Sequence, residues 1–413
     1  MIRVAARFLG LCLAPALMGY SVLTHEAIID ATWDTDIRPL LLKRFPGATE
    51  EEIHKAQAYA YGGAIIQDLG YYPFGSKFFS DLTHYVRTGD FVLSLIEEAQ
   101  DLDEYAFALG SLAHFAADNW GHPEAINRVV PVMFPNLKTK FGSTVTYENN
   151  PAAHLKVEFS FDVLQVAQGH YASEAYHDFI GFQVATPVLE RAFAKTYSLE
   201  MSSVFTSEAL SIGTYRYAVS SVLPTMTKAA WSLKKDEIQK ARPSTTKQRF
   251  IYNISRSDYR KEWGRTYEKP GLGARFIAFL FRLMPKIGPF KAFAFKAPPS
   301  SSETVFMASF NDTLAHYRQF LAAQRDGGLK LTNLNFDIGQ LTQPGRYRLA
   351  DNAFATLVDK LDGKPMSPAL RAEILAFYSD LNAPFATKTH PEAWKKLLGE
   401  LDRVKAGPQS GGD

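Results

Sequence analysis

The stretch "GSLAHFAADNWGHPEA", residues 110–125, constrains the fold of this chain more than any other. Leu112, Ala113, Phe115, Ala116 and Ala117 suit the interior of a helical protein, yet His114, Asp118 and His122 recur at every fourth position. At about 100° per residue, three residues so spaced fall within roughly 80° of arc, on one face of an α-helix. A single buried histidine is explained by an ordinary core hydrogen bond. A buried carboxylate between two imidazoles is not, because its charge needs a strong partner and no Lys or Arg lies within a turn of Asp118. A divalent cation meets the need, since nitrogen and oxygen donors one turn apart can converge at roughly 2.0–2.2 Å on one point. Pro123 disfavours helical dihedrals at His122 and Gly121 loosens the turn before it, so the helix is predicted to end at His122.

Further donors are spread along the chain. "PAAHLKVEF" places His154 and Glu158 one turn apart on another apolar helix. "GGAIIQDLGYYP" carries Asp68 at the end of an apolar run, "LTHYVRTG" offers His84, and "YSVLTHEAI" offers His25. Of the other histidines, His54 sits in a charged helix start, His170 and His177 face no matching acidic run and read as surface residues, and His316 and His390 receive no role. The only cysteine, Cys12, lies near the N-terminus, so any metal must be held by histidine and carboxylate.

The N-terminal "MIRVAARFLGLCLAPALMGY" has the pattern of a secretory signal: Arg3 and Arg7 precede an apolar run too short for a comfortable membrane span. Cleavage after Ala16 and cleavage after Gly19 both fit; an uncleaved anchor is the competing reading. The latter cut makes Tyr20 the first mature residue, and the chain divides on that basis into a 1–19 leader and an exported remainder. From 20 to 233 apolar residues recur at three- and four-residue steps, which predicts an all-α bundle of eight or so helices with long loops near one end. "GSTVTY" (142–147) is either a short strand or a loop, and breaks are expected near 70–75, 121–123 and 131–135. A segment over 234–300 follows; its residues 234–296 hold sixteen Lys and Arg against five Asp and Glu. The Phe-rich run 272–296 within it suits either a membrane surface or the packing of helices. Residues 301–405 form a C-terminal helical extension, and 406–413 a disordered tail.

Taken together, these residues resemble the zinc-dependent phospholipase C family, which is related to the S1/P1-type single-strand nucleases. The four-residue spacing from Asp118 to His122 resembles the branch that includes glycosylphosphatidylinositol-specific phospholipase D, whereas bacterial phospholipases and S1-type nucleases have a longer spacing there. The resemblance covers roughly residues 20 to 160 and follows the family's order of motifs. It implies up to three Zn2+ ions. Asp68, His84 and His114 would hold the first, with Asp118 bridging from it to the third, and His122, His154 and Glu158 would hold the second. His25 and the amino group and carbonyl of Tyr20 would complete the third. Tyr20 departs from the family's usual tryptophan, though backbone atoms make those bonds, and Gln67 stands where proline is common.

The expected activity is hydrolysis of phosphodiesters, phospholipids foremost, by a metal-bridging hydroxide, with Asp68 and Asp118 as the catalytic carboxylates. Two zincs sharing a water lower its pKa towards about 7 and offset charge building on phosphorus. Three carboxylates against three dications leave a net positive site for an anionic diester. The alternatives are an S1/P1-like nuclease, to which the basic segment would attract nucleic acid, and a non-catalytic lipid-binding protein with a structural metal cluster. The oligomeric state does not follow from the sequence.

Overall fold

The computed structural model of the protein describes residues 22–72, 74–168, 183–217, 235, 236, 239 and 296–406. Residues 1–19, Tyr20, His170, His177 and all of the basic aromatic run but Lys296 lie outside them. The described chain is all-α, as expected from its periodicity. Its helices are α1 (Val22–Thr32), α2 (Arg38–Arg44), α3 (Glu50–Gly63), α4 (Lys77–Tyr85), α5 (Thr88–Glu98), α6 (Leu102–Gly121), α7 (Asn127–Met133), α8 (Pro135–Phe141), α9 (Pro151–Gln168), α10 (Thr186–Tyr197) and α11 (Glu208–Tyr217). After the basic segment come α12 (Ser300–Arg325), a hairpin of β1 (Leu334–Asn335) and β2 (Gln340–Leu341), then α13 (Arg348–Leu361), α14 (Pro368–Phe377) and α15 (Pro391–Ala406). Among the described residues no helix is long and apolar enough to cross a membrane.

Local chemistry sets several of the helix starts. Thr49 and Glu52 form a reciprocal capping box on α3, and Asp101 accepts from the Glu104 amide at 2.9 Å to open α6. The first turn of α1 is held differently. The Asp162 carboxylate, on α9, accepts from the amides of Leu23 and Thr24 at 2.9 and 3.1 Å and from the Thr24 hydroxyl at 2.6 Å. A negative charge there complements the helix dipole and fixes the turn that carries His25.

Helix α6 is the centre of the molecule and is buried on nearly every side from Glu104 to Asn119, the signature of a core helix. It meets α3 backbone to backbone. A Cβ on Gly63 would lie 1.9 Å from the Phe107 carbonyl oxygen, and one on Gly110 would lie 2.0 Å from that of Ala60. This contact brings the chain leaving α3 close enough for His114 Nδ1 to donate to the Ala64 carbonyl at 2.9 Å. Helix α12 crosses α6 as well, with Tyr317 donating to the Leu109 carbonyl at 2.9 Å.

Gly110→Ala is therefore expected to cost stability. Overpacking against a backbone atom costs about 3 kcal/mol, which the gain of about 1 kcal/mol in helix propensity only partly offsets. A melting temperature lowered by roughly 2 °C follows for a chain of 413 residues, measurable by circular dichroism; an unchanged melting temperature would contradict the close crossing.

One local expectation is corrected. The helical path does not end at His122: α6 passes through one π-turn (His122–Ile126) directly into α7. Pro123 lies within that turn, whose winding departs from the α-helical bonding that proline disrupts. The break expected near 131–135 falls at Phe134, between α7 and α8, with Pro131 still inside α7. The 142–147 stretch is a loop, of the two forms expected for it.

Candidate metal centre

The elements of the N-terminal half bring eight of the nine predicted donors together; the ninth, Tyr20, lies outside the described residues. His25 comes from α1, Asp68 from the 3-10 turn after α3, His84 from the end of α4, and His114 and Asp118 from α6. His122 opens the π-turn, and His154 and Glu158 lie one turn apart on α9. All eight are at most 2% exposed.

Asp118 is the hub. Its Oδ2 lies 3.1 Å from His114 Nε2 and 3.5 Å from His84 Nε2, while Oδ1 lies 3.5 Å from His25 Nε2 and 3.7 Å from His122 Nε2. His84 Nε2 is also 3.3 Å from Asp68 Oδ1, and His122 Nε2 is 3.6 Å from Glu158 Oε1. Most of these separations exceed the 2.7–3.2 Å of a good hydrogen bond. They match the ~3.4 Å that separates two ligands held at about 2.1 Å around a tetrahedral zinc. Both oxygens of Asp68 and of Asp118, and Nε2 of His84 and His114, are buried without a hydrogen-bond partner. Buried polar atoms are seldom left so, and here they point at one another. Donor atoms of His25, Asp68 and His114, and of His84, His114 and Asp118, form two groups within 4.8 Å. The residues present fit zinc.

Outer hydrogen bonds settle which nitrogen of His84, His114 and His154 faces inward. His84 Nδ1 donates to the Ser80 carbonyl at 2.8 Å, and His114 Nδ1 to that of Ala64, so both turn Nε2 to the centre. His154 is reversed. Its Nε2 donates to Asn127 Oδ1 at 2.9 Å, which leaves an Nδ1 lone pair 2.7 Å from Glu158 Oε1. Two lone pairs face each other there, and a proton or a cation must lie between them. This is the orienting role that outer partners play around metal-bound histidines.

Electrostatics require the same. Among the described residues no Lys or Arg pairs with Asp68, Asp118 or Glu158. Burial alone pushes the Asp118 carboxyl up, but the charges of His114 and His122 and the facing rings of His114 and His84 hold it well below the usual range. Burial lowers His84, and the facing carboxylates of Asp118 and Asp68 outweigh that and raise it to about 10. Burial, reinforced by His122, brings His154 down to about 3. Burial, with the nearby charges of Asp118 and Asp68, pushes Glu158 well above the usual carboxylate range. Without a cation the cluster is a patchwork of opposed protonation states.

Three further polar residues matter here, and only the first carries a sequence signal, since Asp162 continues the four-residue spacing of His154 and Glu158. Asp162 anchors α1, Asn127 orients His154, and Asp337 accepts from His122 Nδ1 at 3.2 Å. Asn127 stands five residues after His122, a spacing that an α-helix rotates off the site but a π-turn brings back into line. Asp337 sits in "NFDIG", with no periodic partner. The bland readings of His54 and His390 fit their exposure, and His316 stacks on Trp120 at 3.8 Å, away from the cluster.

Residues 24–207 match the profile of the family described as zinc dependent phospholipase C. No curated protein and no solved structure matches the chain.

Proposed function

From the match of residues 24–207 to the zinc-dependent phospholipase C family, we propose that this protein hydrolyses the phosphodiester of phospholipids at the centre built around Asp118. The observation that carries the reading is the ring of buried imidazole and carboxylate atoms that face one another at zinc-ligand spacing without hydrogen-bond partners. Asp68, His84 and His114 would hold one ion, His122, His154 and Glu158 a second, and His25 with the Tyr20 amine and carbonyl a third, with Asp118 shared as a ligand between the first and third. Zinc in such a site supplies a water ionised near neutral pH and positive charge against the phosphoryl oxygens.

The chain's own residues do the rest. Asp68 orients the attacking water and accepts its proton through the oxygen not turned to His84. The neutral imidazoles hold metal without cancelling its charge, which keeps the site attractive to an anionic diester. The Tyr71 ring packs edge-on to His84 at 5.6 Å and the Tyr147 ring edge-on to His154 at 5.9 Å, so aromatic faces flank the imidazoles. Export behind the 1–19 leader and contact with a membrane surface through 272–296 belong to the same reading; both segments, Lys296 excepted, are outside the described residues.

Elemental analysis of the purified protein, followed by turnover of a chromogenic phosphocholine diester beside single-stranded DNA, tests it. Bound zinc and cleavage of the diester are expected. Cleavage of the DNA alone would make the protein a nuclease of related chemistry. Zinc without turnover of either would leave a lipid-binding protein with a structural metal cluster. A protein that stays metal-free and inert when resupplied with zinc would end the metal reading.

A further inference from the structure

The hairpin β1–β2 lies far along the chain from the residues that match the family, yet it lies against the metal centre. The Phe336 amide donates to the His84 carbonyl at 3.1 Å, and the Phe336 ring packs on His84, His114 and Phe115 at 5.3, 5.9 and 5.5 Å. Thr88 and Leu334 exchange hydrogen bonds, with the Thr88 hydroxyl donating at 2.8 Å and accepting at 3.0 Å, and Thr342 donates to the Tyr85 carbonyl at 2.8 Å. At the hairpin turn Gly339 adopts a positive φ of 63°. A Cβ there would lie 2.5 Å from the Asn119 carbonyl oxygen and 3.0 Å from the Pro123 ring. Glycine therefore lets the turn seat directly against the end of α6.

That seating delivers Asp337, 2% exposed, to the outer side of the histidines. Its Oδ1 accepts from His122 Nδ1 at 3.2 Å. Its Oδ2 accepts from the Tyr85 hydroxyl at 2.9 Å and from the Tyr347 hydroxyl, so the carboxylate is fixed from both sides. Its main-chain carbonyl accepts from Asn127 Nδ2 at 2.5 Å. An asparagine that donates through Nδ2 must accept through Oδ1, and Oδ1 is where His154 Nε2–H bonds. One residue thus holds two imidazoles, His122 through its side chain and His154 through its backbone and Asn127.

We propose that Asp337 is the positioning residue for the ion held by His122, His154 and Glu158, and that the C-terminal region is in this way a working part of the metal centre. The inference rests on the functional reading above. An aspartate on the far nitrogen of a bound imidazole fixes the ring and makes its free nitrogen a better donor, and losing such a partner typically weakens metal binding about 10–100-fold.

Zinc competition against a graded chelator, with the full chain, provides the test. Asp337→Ala is expected to release one ion about 100-fold more readily while the others hold. Asp337→Asn keeps an oxygen for His122 but not the charge, and is expected to weaken the same ion about 10-fold. If the alanine variant fails to fold, the asparagine variant decides: wild-type affinity for every ion in it overturns the proposal. So does an equal weakening of all ions, or a lowered melting temperature of the chelated chain with unchanged zinc affinity, since those are what a merely structural role would give. A wild-type chain that takes up no zinc overturns the functional reading itself, and this inference with it. Zinc-replete wild type beside an equally zinc-replete Asp337→Ala overturns the inference alone.

Discussion

An Asp118→Asn protein is expected to lose its phosphodiesterase activity, by well over ~100-fold, and to purify with less zinc. The size follows from position. Removing an outer partner of a metal ligand typically costs about 10–100-fold, and Asp118 is itself the residue to which four histidines converge, at 3.1 to 3.7 Å. Asparagine keeps the volume, but it replaces one anionic oxygen with an NH2 that cannot coordinate, and it removes the negative charge between the proposed first and third ions. The helix should survive, because α6 is buried along nearly its whole length, largely by apolar side chains. Circular dichroism, zinc per chain and turnover separate these effects. Normal turnover in the variant would end the mechanism; a collapse of helix content would show that Asp118 holds the fold rather than the metal.

Removing zinc with a chelator should lower the melting temperature by about 5 °C, and restoring zinc should recover it. A ligand present at 1,000 times its dissociation constant stabilises the folded state by about 4 kcal/mol, and for a chain of 413 residues each kcal/mol shifts the transition by roughly 1 °C. Here the expected effect has a structural source: stripped of cations, the centre leaves Asp68, Asp118 and Glu158 buried with no Lys or Arg partner among the described residues, and such groups are costly unless paired. Equal melting curves with and without chelator would mean that the histidines and carboxylates satisfy one another.

The inward-facing donors were legible because helices are periodic. His114, Asp118 and His122, and His154 with Glu158, announce themselves by a spacing of four in apolar surroundings, and burial of a charge without Lys or Arg nearby says what must stand opposite. The fold class followed from the same periodicity. What the spacing did not show was the outer layer's partners: Asp162 continues the step of four from Glu158, yet it serves the amides of α1. Asp162, Asn127 and Asp337 act on residues distant in sequence or through a π-turn that local propensity disfavours, and only tertiary packing decides that they meet. The same packing overrode the expected stop at His122, because carrying the helix on through Ile126 sets Asn127 beside the ring it orients.

The hairpin contact also has a bearing on how the protein comes into being. Tyr85 and Asp337 are separated by 252 positions, and contacts between such distant parts of a chain form slowly, against a large loop-closure entropy. A nascent polypeptide emerging from the ribosome has made every inward-facing donor by residue 158 and still lacks the brace for two of them. On the role proposed for Asp337, maturation of the centre is thereby tied to completion of nearly the whole polypeptide, so a product cut short before the hairpin is left with an unfinished centre rather than being merely a smaller protein.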